Sequence, residues 1–136
     1  MAKISMDGLY QYEKLLAELG ADTVKMAKYA IYPAAGEVLE ALKAATPTDE
    51  GDLRDSEILT RFQDTDNGMI FTAVVFEGYD RDGTPNSLKA RALESGTSRM
   101  KKRPFIRPTV NRIRQRVIDT IAHGTDEYIQ NLMGGK

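Results

Sequence analysis

The 136-residue chain contains no cysteine. That absence removes disulfides, thiolate metal sites and thiol nucleophiles together, and it fits a reducing compartment. Histidine is nearly absent too, His123 being the only one. A Ser-His-Asp triad would need it beside an activated serine, and no G-x-S-x-G elbow exists. On a helix next to Gly124 it reads as a surface or packing residue. No Gly-rich segment fits a P-loop or a dinucleotide fingerprint. No apolar run approaches the ~20 residues that span a bilayer. The opening MAKISMDGLYQYEKLL lacks the continuous apolar stretch of a signal peptide. No membrane partner is expected, and assembly in a cytoplasm is. Acids are missing from one long stretch: between Ser95 and Ile118 there is no Asp or Glu.

Elsewhere acids cluster, and the clusters resemble calcium loops at first sight. An EF-hand needs acids at loop positions 1, 3 and 5, Gly at 6 and Glu at 12. From Asp64, Gly68 arrives one residue early and Val75 stands where the Glu should; from Asp80, Pro85 takes the Gly position. Both are better read as polar hairpin turns. In Asp49-Glu-Gly-Asp52, Gly51 is expected to take a positive φ after the stop at Pro47, with acids starting the following turn. Paired carboxylates of the glycosidase kind depend on spatial distance, and nothing here favours them. The expectation is a protein that is not an enzyme, with no cofactor and no metal.

What remains is an ordinary soluble composition, 41% hydrophobic and 29% charged, long enough to bury roughly two thirds of its unfolded surface in one domain. Leu9, Tyr12, Leu16 and Leu19 recur at helical spacing before Gly20. Asp22 can cap a second helix whose stripe is Val24, Ala27, Ile31, Ala34, Val38, Leu42 and Ala45. Pro33 predicts a kink there, or a break with Pro33 restarting the helix. Thr46-Pro47 ends it. Ile58–Phe62 and Met69–Phe76 predict an antiparallel hairpin. The second run, apolar on both faces apart from Thr72, predicts a central strand covered on both sides. After a loop at 80–86, a short helix or strand carries Leu88, Ala90, Ala92 and Leu93. From Pro108 a helix runs to the terminus on Val110, Ile113, Val117, Ile121, Tyr128 and Leu132. Gly124 costs it about 1 kcal/mol relative to Ala and predicts a local bend.

The expected fold is α+β: an N-terminal helical arm, an antiparallel sheet of three to four strands, and a long C-terminal helix packed on the sheet. Residues 1–136 are expected to form a single domain, divided into a helical arm (1–46), a β-rich middle (52–93), a basic loop (94–107) and the C-terminal helix (108–133).

Within the acid-free stretch stand Arg99, Lys101, Lys102, Arg103, Arg107, Arg112, Arg114 and Arg116, eight cations against seven net negative charges through Glu94. Charge so segregated, in a chain of overall charge −1, predicts a charged partner. Phosphate contact is one reading. Only Phe105 and Ile106 interleave with the cations, which gives base stacking little to work with. Docking to an acidic protein surface is the other, including that of another copy, since head-to-tail association can close into a ring.

Two motifs sharpen this choice. Thr46-Pro-Thr-Asp-Glu-Gly-Asp-Leu-Arg-Asp-Ser56 lies about 45 residues before Leu93-Glu-Ser-Gly-Thr97, which is followed by Arg103-Pro-Phe-Ile-Arg-Pro108. Together they resemble the tailed-phage neck and tail-completion family, small proteins of head–tail joining. Pro47, Gly51, Leu53, Arg54 and Ser56 match the first motif; Leu93, Glu94, Gly96, Thr97, Pro104, Phe105, Arg107 and Pro108 match the second. The chain departs from the family at Ser95, where an aromatic is frequent, at the unusually basic spacer Arg99–Arg103, and at Thr109 in place of a small Ala. The resemblance implies a structural virion protein, assembled in a bacterial host cytoplasm into an oligomeric neck or tail-completion ring between the DNA-filled head and the tail. Its implied partners are further copies of itself, other head-closure and tail proteins, and DNA passing nearby without sequence-specific reading. Arg99, Lys101, Lys102, Arg103, Arg107, Arg112 and Arg116 would form the assembly or DNA-facing surface. Arg54 and Glu94 are expected to pair and pin the two turns together, and Phe105 to fix the start of the helix. The alternative function is a small nucleic-acid-binding module built on the same basic patch.

Overall fold

The computed structural model describes residues 22–47, 51–64 and 70–134, together with Gln11, Lys14 and Ala17 as helical positions. The expected helix on Leu9, Tyr12, Leu16 and Leu19 therefore falls on residues outside the described ones. Beyond those three positions, the described residues form four helices and four short strands. They are α1 (Thr23–Ala45), α2 (Gly51–Asp55), β1 (Glu57–Leu59), β2 (Gln63–Asp64), β3 (Ile70–Phe71), β4 (Val74–Phe76), α3 (Asn86–Ser95) and α4 (Ile106–Met133). The class is α+β, with the long C-terminal helix against the sheet. Among the described residues no helix is long and apolar enough to cross a membrane.

Local chemistry sets the boundaries of α1. The Asp22 carboxylate accepts the backbone N–H groups of Val24 and Lys25 at 3.0 and 3.2 Å, closing two of the donors a helix start leaves open. Thr46 turns extended, with ψ 132°, ahead of Pro47. Between them the helix runs unbroken through Pro33, so the restart expected there does not occur.

The principal interface is α1 against α4. Contacts pair Tyr29 with Tyr128, Ala30 with Gly124, and Glu37 with Thr120 and Arg116, so the two helices run antiparallel. Gly124 is buried. A Cβ there would stand 2.8 Å from the Ala30 Cα, closer than side chains come. The glycine thus allows two backbones to touch, and α4 continues through it without interruption to Met133.

The hairpin lies on the same pair of helices. Glu57, Ile58 and Leu59 pair with Phe76, Val75 and Val74; nearer the connection, Gln63 and Asp64 pair with Phe71 and Ile70. Three residues of one arm, 60–62, therefore oppose two of the other, 72 and 73, which is a bulge. Thr60 fills the gap in the ladder. Its N–H donates to the Ala73 carbonyl at 2.8 Å, its hydroxyl accepts the Ala73 N–H at 3.0 Å, and its carbonyl accepts the Thr72 hydroxyl at 2.7 Å. The expected hairpin forms, and the bulge divides it into two two-stranded sheets.

The arm 70–76 is not a strand covered on both sides. Among the described residues it has one hydrogen-bonded neighbour, and Phe71 and Val75, each 36% exposed, face outward with Ile58. Apolar residues on both faces supply area for burial, but the fold must provide something to cover each face, and here helices cover one.

The middle of the chain is also less β than 52–93 implied, since α2 and α3 fall within it. Gly51 opens α2 instead of a positive-φ turn, with Asp52 in its first turn. The loop at 80–85 is organised by Asp80, whose carboxylate accepts the N–H groups of Asp82 and Thr84, both at 2.9 Å. Those bonds, the Thr84 one foremost, hold its carboxyl below the usual range, assisted by Lys89 at 3.1 Å. A bridge between Tyr79 and Pro85 closes the loop, so turn chemistry accounts for the acids.

Candidate assembly surface

The two sequence motifs converge in space. Leu53, Leu93 and Phe105 share one buried cluster with Ala90, and Phe76 and Ile106 pack against it. Leu53 is fully buried. Phe105 meets Phe76 edge-on, with centroids 6.0 Å apart, a geometry worth about 0.5–1.5 kcal/mol beyond the area it buries. Phe105 thus fixes the start of α4 as a core residue.

Glu94 does more than its motif suggested. Its Oε1 accepts the backbone N–H groups of Phe105 and Ile106, each at 2.8 Å, and its Oε2 accepts that of Arg107 at 3.0 Å. Pro108 has no N–H. The four donors that a helix start leaves open are therefore fully accounted for, three by one carboxylate and one by its absence. Desolvation pushes the Glu94 carboxyl up, but the three backbone donors and the Arg107 charge outweigh it and hold it below the usual range. The expected Arg54–Glu94 pair does not form: Arg54 meets Asp55 at 3.7 Å, and the clamp runs from α3 to α4. One sign of it was available in the sequence. Between Arg103 and Pro108 no Ser, Thr, Asp or Asn stands where a helix cap should, so the cap had to come from elsewhere.

Between α3 and α4 the basic loop is folded on itself. Gly96 takes φ +77°, and a Cβ there would lie 3.0 Å from the Lys102 backbone nitrogen and 3.2 Å from the Met100 carbonyl. The Thr97 hydroxyl accepts the N–H groups of Arg99 and Met100 at 3.2 and 3.0 Å. Thr97 N–H donates to the Met100 carbonyl at 2.9 Å, and Arg103 N–H to the Leu93 carbonyl at 2.7 Å. The cations are held on a fixed frame.

All seven expected surface residues, Arg99, Lys101, Lys102, Arg103, Arg107, Arg112 and Arg116, are exposed, but they do not act alike. Arg116 reaches across to Glu37 at 3.2 Å and ties α4 to α1. Arg107 sits beside the Glu94 carboxylate. Among the described residues, Arg99, Lys101, Lys102 and Arg112 make no ion pair. Pro104 and Pro108 line an open cavity of about 320 Å³ with Glu94, Lys102, Arg107 and Asn111. The dipole of α4 adds nothing to this surface for an incoming anion, because Glu94 already occupies the helix start.

Sequence reasoning passed over one buried acid. Glu57 is 1% exposed on β1, where its Oε2 lies 3.0 Å from the Thr46 hydroxyl and its Oε1 has no partner among the described residues. That hydroxyl has one proton, and the Leu42 carbonyl at 2.7 Å is placed to take it. That carbonyl therefore competes with Oε2 for the one proton and leaves the buried carboxyl poorly satisfied. Burial pushes Glu57 up accordingly, against the opposing pull of Thr46 and Lys43.

Compared with known proteins, the chain matches no family model, no curated protein and no solved structure.

Proposed function

We propose that this chain is a structural, non-enzymatic joint protein of a phage virion, acting by assembly into a ring at the head–tail junction. The observation that carries the reading is the Glu94 clamp. Two motifs far apart in sequence, which resemble those of neck and tail-completion proteins, meet in one core, and the carboxylate locks the basic loop to the start of α4. A loop ordered from within, whose Arg99, Lys101 and Lys102 make no ion pair among the described residues, supports docking, because little conformational entropy is left to lose on contact. Protein is favoured over nucleic acid as the partner. A phosphate site would gain from a free helix start, and Glu94 has taken it.

The test is the mass of the protein in solution across concentration. Wild type is expected to rise from 15.1 kDa to a fixed multiple. A variant with Lys101, Lys102 and Arg103 changed to Gln should stay at monomer mass with an unchanged helical circular dichroism spectrum. A wild type that stays monomeric throughout removes the support for self-assembly. Binding of that monomer to random duplex DNA, weakening steeply with salt at a slope near −0.9 per phosphate contacted, would favour the nucleic-acid module instead.

A further inference from the structure

The other end of α4 borders an open cleft. It measures about 570 Å³ and lies between α1, α4 and the bulge of the hairpin. Tyr29, Tyr32 and Phe62 give it three aromatic rings, and Tyr32 is 68% exposed. Glu127 lines it as a carboxylate, accepting the Tyr29 hydroxyl and lying 3.5 Å from His123, which is a surface residue, one of the two readings the sequence left open. The hydrogen bond to Glu127, then partial burial and the same negative charge, push the Tyr29 phenol up, so it stays a neutral donor. Ring faces are negative at their centres and attract cations, and thioethers pack favourably at aromatic edges.

One segment of this chain has the complementary chemistry. The turn held by Thr97 presents Arg99, Met100 and Lys101 in succession, a 38% exposed thioether between two cations that make no ion pair among the described residues. It cannot reach the cleft of its own molecule. The turn precedes Ile106, whereas the cleft is built on residues 120–127 of the same helix, roughly 20–30 Å away at 1.5 Å per residue.

We infer that the cleft receives the Arg99–Met100–Lys101 turn of a second copy, with Met100 against the rings and the flanking cations toward Glu127 and the ring faces. Donor and acceptor patches differ and sit at opposite ends of a rigid helix, so the contact is heterologous and propagates head to tail, as a closing ring requires. The inference rests on the ring reading above and names its contact. Lys28 also lines the cleft and opposes an incoming cation, which gives the charge claim its own check.

A chain without cysteine makes the test unambiguous. Met100→Cys and Tyr32→Cys variants, mixed and oxidised, should form a covalent dimer, and a single chain carrying both changes should give a ladder of multiples. Met100→Cys mixed with Leu88→Cys, an exposed position on α3, should not cross-link above background. In the cross-linking pair, Lys101→Glu should lower the yield about two- to fivefold, and Lys28→Ala should raise it. Absence of the cross-link, equal yield with Leu88→Cys, or the opposite charge effects would overturn the contact. If wild type reaches a ring mass while the pair fails, only this contact is wrong. If wild type stays monomeric and the pair also fails, both readings fall. A monomeric wild type whose pair still cross-links keeps the contact as a weak one.

Discussion

The two sides of this molecule are finished to different degrees. Where α3 meets α4, each backbone donor at the helix start has a partner or does not exist, and the core beneath holds Leu53, Leu93 and Phe105. On the hairpin side, Glu57 keeps one buried oxygen without a partner among the described residues, Ile58, Phe71 and Val75 face outward, and clefts open around Pro33, Phe62 and Leu59. The same chain that satisfies every donor at the start of α4 leaves the hairpin side open. Buried polar groups cost stability when unsatisfied, so the finished seam is where stability concentrates. The open side is where a partner has something to gain.

Breaking the finished seam should have the largest effect. Glu94→Gln keeps the shape but loses the charge behind three hydrogen bonds, and it should cost roughly 2–3 kcal/mol in urea unfolding at neutral pH. The pH dependence has a definite sign. Because the folded-state pKa of Glu94 lies below its unfolded one, its contribution is present above the unfolded pKa and lost as pH falls through the folded value. The gap between wild type and Glu94→Gln should therefore narrow in acid. A gap of constant size from neutral pH down to pH 3 would count against the clamp.

An intermediate effect is expected at the crossing of α1 and α4, which forms the floor of the open cleft. Gly124→Ala would gain about 1 kcal/mol of helix propensity in isolation. The methyl, however, would meet the Ala30 backbone at 2.8 Å, and forcing the helices apart should leave a net loss of about 1–2 kcal/mol. A thermal melt that rises instead would show that the crossing has room.

The smallest change, and one of opposite sign, is expected at Glu57. Its folded pKa is raised, so its favourable contribution is present below the unfolded pKa and is lost as pH rises through the folded value. Gln keeps the shape without the charge that burial disfavours, and its amide N–H can still bond the Thr46 hydroxyl. Glu57→Gln should match wild type near pH 4 and exceed it in stability by pH 8. Loss of stability at pH 8 would mean that the carboxylate has a partner the geometry does not display.

Much of the scaffold was legible along the chain because it depends on near neighbours. Asp22, Thr46-Pro47 and the Pro108 region mark helix ends through backbone chemistry within a few residues. The hairpin was readable from two apolar runs either side of a turn. Glycine was read less well. At Gly96 the expected turn is real, but Gly51 opens a helix, and Gly124 serves a helix crossing that a single strip of sequence cannot display. Opposite charges in separate motifs suggest an Arg54–Glu94 pair, yet three backbone donors at one site outcompete one exposed guanidinium.

By itself, then, the sequence determined the two long helices, the hairpin and the segregation of eight cations into one acid-free segment, since propensity, capping and charge are local or additive properties. Tertiary structure alone decided that Glu94 caps a helix eleven residues away, that Glu57 is buried beside Thr46, and that the basic turn and the aromatic cleft lie at opposite ends of α4. Those outcomes turn on which groups exclude water from which others. That depends on distances in space, and spacing along the chain does not encode them.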